Sequence, residues 1–112
     1  MNRIDLKARM SPREELERRL AGLPDLVRRR SRFGDAFSYF VGGREIAHFH
    51  GDGRMDVRLT RQRIREMKIE GILDPRVRTR GPSADWATLP LDSGRDVPLA
   101  IELVEDAMRT NV

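Results

Sequence analysis

Residues 42–59 read Gly42-Gly43-Arg44-Glu45-Ile46-Ala47-His48-Phe49-His50-Gly51-Asp52-Gly53-Arg54-Met55-Asp56-Val57-Arg58-Leu59. Both histidines of the chain lie in this stretch. Two strand-like runs flank Gly51-Asp52-Gly53, the pattern of a β-hairpin. A three-residue loop sets His50 against Arg54, Phe49 against Met55, His48 against Asp56 and Ala47 against Val57. One face is then Ala47, Phe49, Met55, Val57 and Leu59. The other carries His48, His50, Arg54, Asp56 and Arg58. A two-residue loop at Asp52-Gly53 would oppose Phe49 and Asp56 and mix the faces. A one-residue slip moves every side chain to the wrong face, so the segregated register is expected. The loop fits a type I turn closed by a left-handed Gly53.

Upstream, Ala36-Phe37-Ser38-Tyr39-Phe40-Val41 is rich in aromatic and other strand-forming residues, and Gly42-Gly43 signals a tight turn. A regular two-residue turn pairs Val41 with Arg44, Tyr39 with Ile46 and Phe37 with His48. Ala36, Ser38 and Phe40 then join the apolar face, and Phe37, Tyr39 and Val41 the histidine face. Farther upstream, Ser11-Pro12-Arg13-Glu14 is a helix start with a capping box, and Leu16 and Leu20 share one side of that helix. Gly22-Leu23-Pro24 ends it. Leu26 and Val27 are expected to dock on the core ahead of a basic run, Arg28-Arg29-Arg30-Ser31-Arg32.

Downstream, Thr60 caps a helix over Arg61–Glu70, with Ile64 and Met67 inward and Gly71 at its end. Residues 74–80 read as an irregular basic stretch in which Arg76, Arg78 and Arg80 share one side. Gly81-Pro82-Ser83 breaks it, and Asp85 is placed to cap a local turn. Trp86 to Leu91 reads as a last strand, with Pro90 arguing for a sheet edge. Asp96 is placed to cap a final helix from Val97 to about Arg109, whose apolar spacing is helical. The expected fold is α+β: a small antiparallel sheet of three to four strands, with one helix before it, one between strands and one C-terminal. Residues 1–10 are expected to form a loose N-terminal arm and residues 11–112 a single α+β domain.

The 112 residues suit one domain with one modest core. Charged residues reach 36%, yet the 38% that are hydrophobic fall in periodic clusters, which favours a folded domain over a disordered chain. The absence of cysteine excludes disulfide scaffolds and thiolate zinc sites. No apolar run approaches the roughly 20 residues that span a bilayer. The N-terminal Met1–Lys7 lacks the apolar segment of a signal peptide, so the expected location is cytoplasmic, with no membrane partner. Net charge is +4, and the 22 basic residues are all arginine except Lys7 and Lys68. Guanidinium groups suit phosphate or carboxylate recognition. The 18 acidic residues interspersed with them equally suit a solvated mixed surface.

The histidine face admits several chemistries. His48 opposite Asp56 has the form of a catalytic His–carboxylate dyad, or of a plain cross-strand ion pair. His48, His50 and Asp56 form a ligand set for zinc or iron, since residues at i and i+2 on a strand point the same way. Ligand-contact candidates are His48, His50, Arg54, Asp56, Arg58, Phe37, Tyr39 and Trp86, a few polar groups among apolar walls. Trp86 equally suits a core anchor or a lid over the sheet. No cofactor-binding motif is identifiable. Arg54, Arg58, Arg61, Arg65, Lys68, Arg76, Arg78 and Arg80 together would suit sequence-independent nucleic-acid binding.

The run Gly43 to Gly53, then Asp56-Val57-Arg58-Leu59, resembles the small bacterial proteins of the luciferase domain family. So do Ala21-Gly22-Leu23-Pro24, Asp74-Pro75-Arg76-Val77, Pro82-Ser83 and Asp85-Trp86. The resemblance spans roughly residues 15–108. Many sequences of the family it resembles carry Ser-Gly-Trp where this chain has Ala84-Asp85-Trp86. The strand–strand–helix pattern is also distantly similar to MmcQ/YjbR-type small domains, some proposed to bind DNA, a likeness of fold alone. The leading expectation is a small cytoplasmic binding domain, monomer or homodimer. Its ligand, an anion by its arginines, or its protein partner would meet the His48/His50/Asp56 face. Nucleic-acid binding comes second and a metal- or His-dependent enzyme third. The reading leans away from enzymatic activity.

Overall fold

The computed structural model describes residues 10–31, 37–81 and 83–112. The expected arm at 1–10, apart from Met10, lies outside these residues, as do Arg32, Ala36 and Pro82. The order is α1 (Pro12–Leu20), β1 (Val27–Arg30), β2 (Phe37–Val41), β3 (Arg44–His50), β4 (Arg54–Arg58), α2 (Arg61–Glu70), β5 (Arg78–Thr79), β6 (Trp86–Pro90) and α3 (Asp96–Thr110). The strands form one antiparallel sheet in the order β1-β2-β3-β4-β6-β5. The fold is α+β as the sequence implied, with helices before, between and after the strands. The sheet has six strands rather than three to four. The two additions are the basic run at 27–30 and a two-residue strand within 74–80. The first has no alternating pattern and the second is only two residues long; each pairs with one neighbour, β2 or β6.

Local chemistry explains the helix boundaries. Ser11 Oγ accepts the Glu14 amide at 3.1 Å and Glu14 returns a carboxylate to the Ser11 amide at 3.3 Å, a closed capping box. Thr60 Oγ1 accepts the Arg63 amide, and Gly71 ends α2 in the left-handed conformation at φ +70°. Thr60 itself has φ +77°, which costs energy in a β-branched residue. It is held there by its amide on the Asp85 carbonyl, while Asp85 Oδ1 accepts the Arg61 amide. Asp85 therefore caps α2 and not a turn of its own.

Asp96 also acts elsewhere than expected. It is the first residue of α3, and its carboxylate reaches back to the Asp92 and Ser93 amides and to Arg76 Nη1 at 2.9 Å. Arg76, which also binds Asp74, is thereby turned away from Arg78 and Arg80. Burial alone would raise the Asp96 carboxyl. The Ser93 and Asp92 amides and the Arg76 guanidinium outweigh it and hold the group below its ordinary value. A depressed carboxyl stabilises the fold fully above the unfolded-chain pKa of about 3.9, and that contribution drains away as pH falls toward the folded value. Asp96→Ala is expected to cost about 1.5–3 kcal/mol near neutral pH. In thermal melts the gap from wild type should narrow below about pH 4; a gap independent of pH would refute the linkage.

α1 and α3 pack on each other and cover one face of the sheet. Leu16 and Leu20 from α1, Val97, Ala100, Ile101 and Val104 from α3, and Met55, Val57, Ala87 and Leu89 from the sheet build the core. Arg13 fastens α1 to the hairpin: Nη1 donates to the Gly51 carbonyl at 2.9 Å and the guanidinium lies 4.6 Å from the Phe49 ring centre. Gly51, at φ +60°, is the left-handed residue of that loop. Gly53 is not; it is a turn residue whose carbonyl accepts the Leu91 amide. Among the described residues, no helix is long and apolar enough to cross a membrane.

The hairpin register is the segregated one: Ala47 pairs Val57, His48 pairs Asp56, Phe49 pairs Met55 and His50 pairs Arg54. The β2–β3 register differs from a regular turn. Val41 pairs Arg44 and Phe40 pairs Glu45, but Tyr39 pairs Ala47 and Ser38 pairs His48. A β-bulge places both Ile46 and Ala47 opposite Tyr39, and both are completely buried. The extra residue exchanges the faces of β2. Tyr39 is buried against the edge of Phe49, with ring centres 6.2 Å apart. Burial, the largest influence, raises the Tyr39 hydroxyl above its ordinary pKa. Phe37 lies exposed at the sheet margin with the Arg28 guanidinium 4.2 Å from its ring centre. Both expected ligand contacts on β2 are thus removed from the histidine face.

Candidate functional site

The face opposite α1 and α3 is open over β4, β6 and β5, while Ser38 at its β2 end is buried. Its middle is one row of register partners across five strands: Ser38, His48, Asp56, Thr88 and Arg78. Neighbouring strands lie about 4.8 Å apart, so adjacent members of such a row are within reach of one another. The row beside it is His50, Arg54 and Pro90, and on its other side Arg58 pairs Trp86. A cleft of about 620 Å³ opens over these rows, lined by His48, Asp56, Trp86, Thr88, Arg54, Arg78 and Arg80 among others.

Asp56, in the cleft lining, has Oδ2 3.1 Å from His48 Nε2 and 2.6 Å from Nε2 of His50, an exposed residue just outside that lining. The two Nε2 atoms are 3.2 Å apart. Asp56 Oδ1 accepts the Thr88 hydroxyl at 2.6 Å. His48 Nδ1 lies 3.2 Å from Glu45 Oε1. The Trp86 and His48 ring centres are 5.0 Å apart at a 42° tilt, so the indole forms a wall beside the imidazole.

The bulge explains how Glu45 reaches this group. In a regular strand Glu45 would share the side of Ala47 and Phe49. With Ile46 and Ala47 both turned inward, Glu45 and His48 come out on the same face. The hint in the sequence was the pair Glu45-Ile46, a charge at an apolar position beside an apolar residue at a polar one. Thr88 carried no comparable hint, because its partner Asp56 is brought to it by a strand pairing 32 positions away.

The proposed contacts divide accordingly. His48, His50, Arg54 and Asp56 are brought together, with Trp86 beside them. Arg58 shares the face, but its Nη2 turns to Asp85 Oδ2 at 3.6 Å and its Nε is buried without a hydrogen bond. Phe37, Tyr39, His50 and Arg58 are absent from the cleft lining, His50 lying beside it against Asp56, and Arg78 and Arg80 join it. Pro90 suits β6 despite that strand's interior place. The Leu91 amide points to β4, so the Pro90 nitrogen points the other way, beyond the end of β5, where no donor is needed.

Chemically the site combines two imidazoles and a carboxylate, His48, His50 and Asp56, whose candidate ligand atoms all lie within 4.8 Å of one another. Around it, Arg54, Arg78 and Arg80 make no ion pair or side-chain hydrogen bond among the described residues, whereas Arg13, Arg63, Arg76 and Arg109 are tied to carboxylates. Residues 43–107 match the family model described as Luciferase domain. No curated protein and no solved structure matches the chain.

Proposed function

We propose, from the premise that the chain belongs to the luciferase domain family, that its open sheet face is a binding site for a small anionic ligand in a cytoplasmic protein. The observation that carries this reading is the set of three guanidinium groups, Arg54, Arg78 and Arg80, around one cleft and without a carboxylate partner among the described residues. Arginines without carboxylate partners are pre-arranged donors for phosphate or carboxylate oxygens. They stand on strands or directly beside one, so the sheet fixes their spacing. Trp86 adds an apolar wall against which a ligand body can lie, and the volume suits a small molecule. Asp56 Oδ1 accepts the Thr88 hydroxyl and Oδ2 lies against His50 Nε2, which limits its repulsion toward an incoming anion.

Trp86 is the sole tryptophan and reports directly on the cleft. Inorganic phosphate and citrate, titrated separately at low salt, are expected to shift its fluorescence with at least one of the two. Arg78→Ala combined with Arg80→Ala should weaken that binding about 10–100-fold per lost charge-assisted contact. An indole signal unmoved by millimolar amounts of both anions, or binding unchanged in the double variant, would overturn the reading. Nucleic-acid binding is the second reading, favoured by the exposed Arg28–Arg30 strand. It requires affinity for duplex or single strands that falls steeply with salt.

A further inference from the structure

We infer that His48, His50 and Asp56 form a binding site for a divalent first-row transition ion, with Glu45 and Thr88 as its outer supports. This goes beyond the anion reading and does not depend on it. The first argument is proton accounting. Glu45 and Asp56 carboxylates only accept hydrogen bonds. With His48 neutral, Nδ1–H is donated to Glu45 Oε1 at 3.2 Å, and the Nε2 lone pair then points at Asp56 Oδ2, 3.1 Å away. His50 Nε2 can supply one proton, toward Oδ2 at 2.6 Å. That leaves at least one lone pair of His48 facing a carboxylate oxygen with nothing between them. Either a second proton on His48 or a cation bound to all three atoms removes the conflict, and the spacing and surroundings of the three atoms favour the cation.

The second argument is size. The separations of 3.2, 3.1 and 2.6 Å place the three atoms on one small circle. Its radius is about 1.7 Å, less than the bonds of about 2.0–2.2 Å that nitrogen and oxygen ligands make to zinc. An ion bonded to all three therefore stands off their plane, and its remaining positions are left to water or a ligand. Two histidines and one carboxylate on one side of the ion, with open positions opposite, is an arrangement used for zinc and for non-haem iron.

The third argument is the support around the ligands. A metal-bound histidine characteristically gives its other ring N–H to a carboxylate, which sets the tautomer and the ring orientation. Glu45 occupies that place for His48. The Thr88 hydroxyl occupies Asp56 Oδ1 and leaves Oδ2 as the free donor. Both supports are supplied by strand geometry: Glu45 by the bulge and Thr88 by the β4–β6 register. An ion pair on a solvated sheet face has no need of either.

The test is calorimetric titration of the full chain, stripped with chelator, with Zn²⁺ and separately with Co²⁺. One ion per chain is expected, with simultaneous shifts of the ring signals of both histidines in NMR spectra. His50→Ala, at an exposed position that leaves the core untouched, should abolish stoichiometric binding. Glu45→Gln should weaken it about 10–100-fold, the usual effect of removing an outer-shell partner. Arg78→Ala should leave metal affinity within about threefold of wild type, well short of the tenfold that 1.4 kcal/mol would bring. Absence of stoichiometric binding of either ion at micromolar protein would overturn the site, as would affinity unchanged in His50→Ala. Loss of phosphate or citrate binding in the arginine variants with metal binding retained separates the two sites' failures.

Discussion

Val57→Asp is expected to leave the chain unfolded, whereas Asp56→Val, one position away, leaves it folded and empties the site. Val57 is completely enclosed between β4 and the helices, with 1% of its surface accessible. A carboxylate there has no partner, and an unpaired buried charge costs at least about 4 kcal/mol, comparable with the whole stability of a small domain. Asp56 faces the opposite way. Replacing it removes the acceptor of Thr88 and the neighbour of both histidine rings, but these groups border the cleft or solvent and can turn to water. The expected stability change is within about 1 kcal/mol. Circular dichroism melts of the two variants check this. A folded Val57→Asp, or an unfolded Asp56→Val, would show that the two faces have been assigned the wrong way round.

The second large effect lies at the junction of α2 and α3. Asp106 is nearly buried on α3 and accepts Arg63 Nε from α2 at 2.8 Å. Its other oxygen accepts from Arg109 at 3.3 Å, a residue mostly in solvent. The hydrogen bond to Asp106 is the main reason the Arg63 guanidinium holds its proton even more tightly than usual. Arg63→Met removes the better partner and leaves a carboxylate in a poorly hydrated place. The expected loss is about 2–3 kcal/mol, below the 3–5 of a fully orphaned buried charge because Arg109 stays. For a chain of this size that lowers the melting temperature by roughly 8–20 °C. Arg63→Met with Asp106→Leu should recover most of it, since removing both partners leaves no stranded charge. A double variant less stable than the single one would refute this account.

Much of this was readable from the residues alone. The hairpin register followed from period-two alternation on both strands, because only one pairing separates Ala47, Phe49, Met55 and Val57 from the histidines. The boundaries of α1 and α2 followed from Ser11, Glu14, Thr60 and Gly71, whose roles are local. Other features depend on partners far along the chain. Val27–Arg30 is exposed at all four positions and has no pattern of its own; β2 makes it a strand. The bulge breaks alternation at Ile46-Ala47, and a regular ladder carried across it put Phe37 and Tyr39 on the wrong face. Arg76 diverges from Arg78 and Arg80 because Asp96, twenty positions away, claims it. At the site, the cross-strand pair was legible, but the residues that orient it were not.

The two ends of the strand order have a consequence for how the protein behaves among copies of itself. An exposed strand edge with free amides and carbonyls is a template on which another chain can add a strand and start an aggregate. Here one rim is β1, where three successive arginines would meet the like charges of an approaching copy. The other is β5, only two residues long, with Pro90 offering no amide just past its end. Neither rim offers the long, flat, apolar edge from which fibrils grow. The arginines of β1 thus guard the sheet against its own kind, and the cleft can stay exposed without the sheet extending sideways.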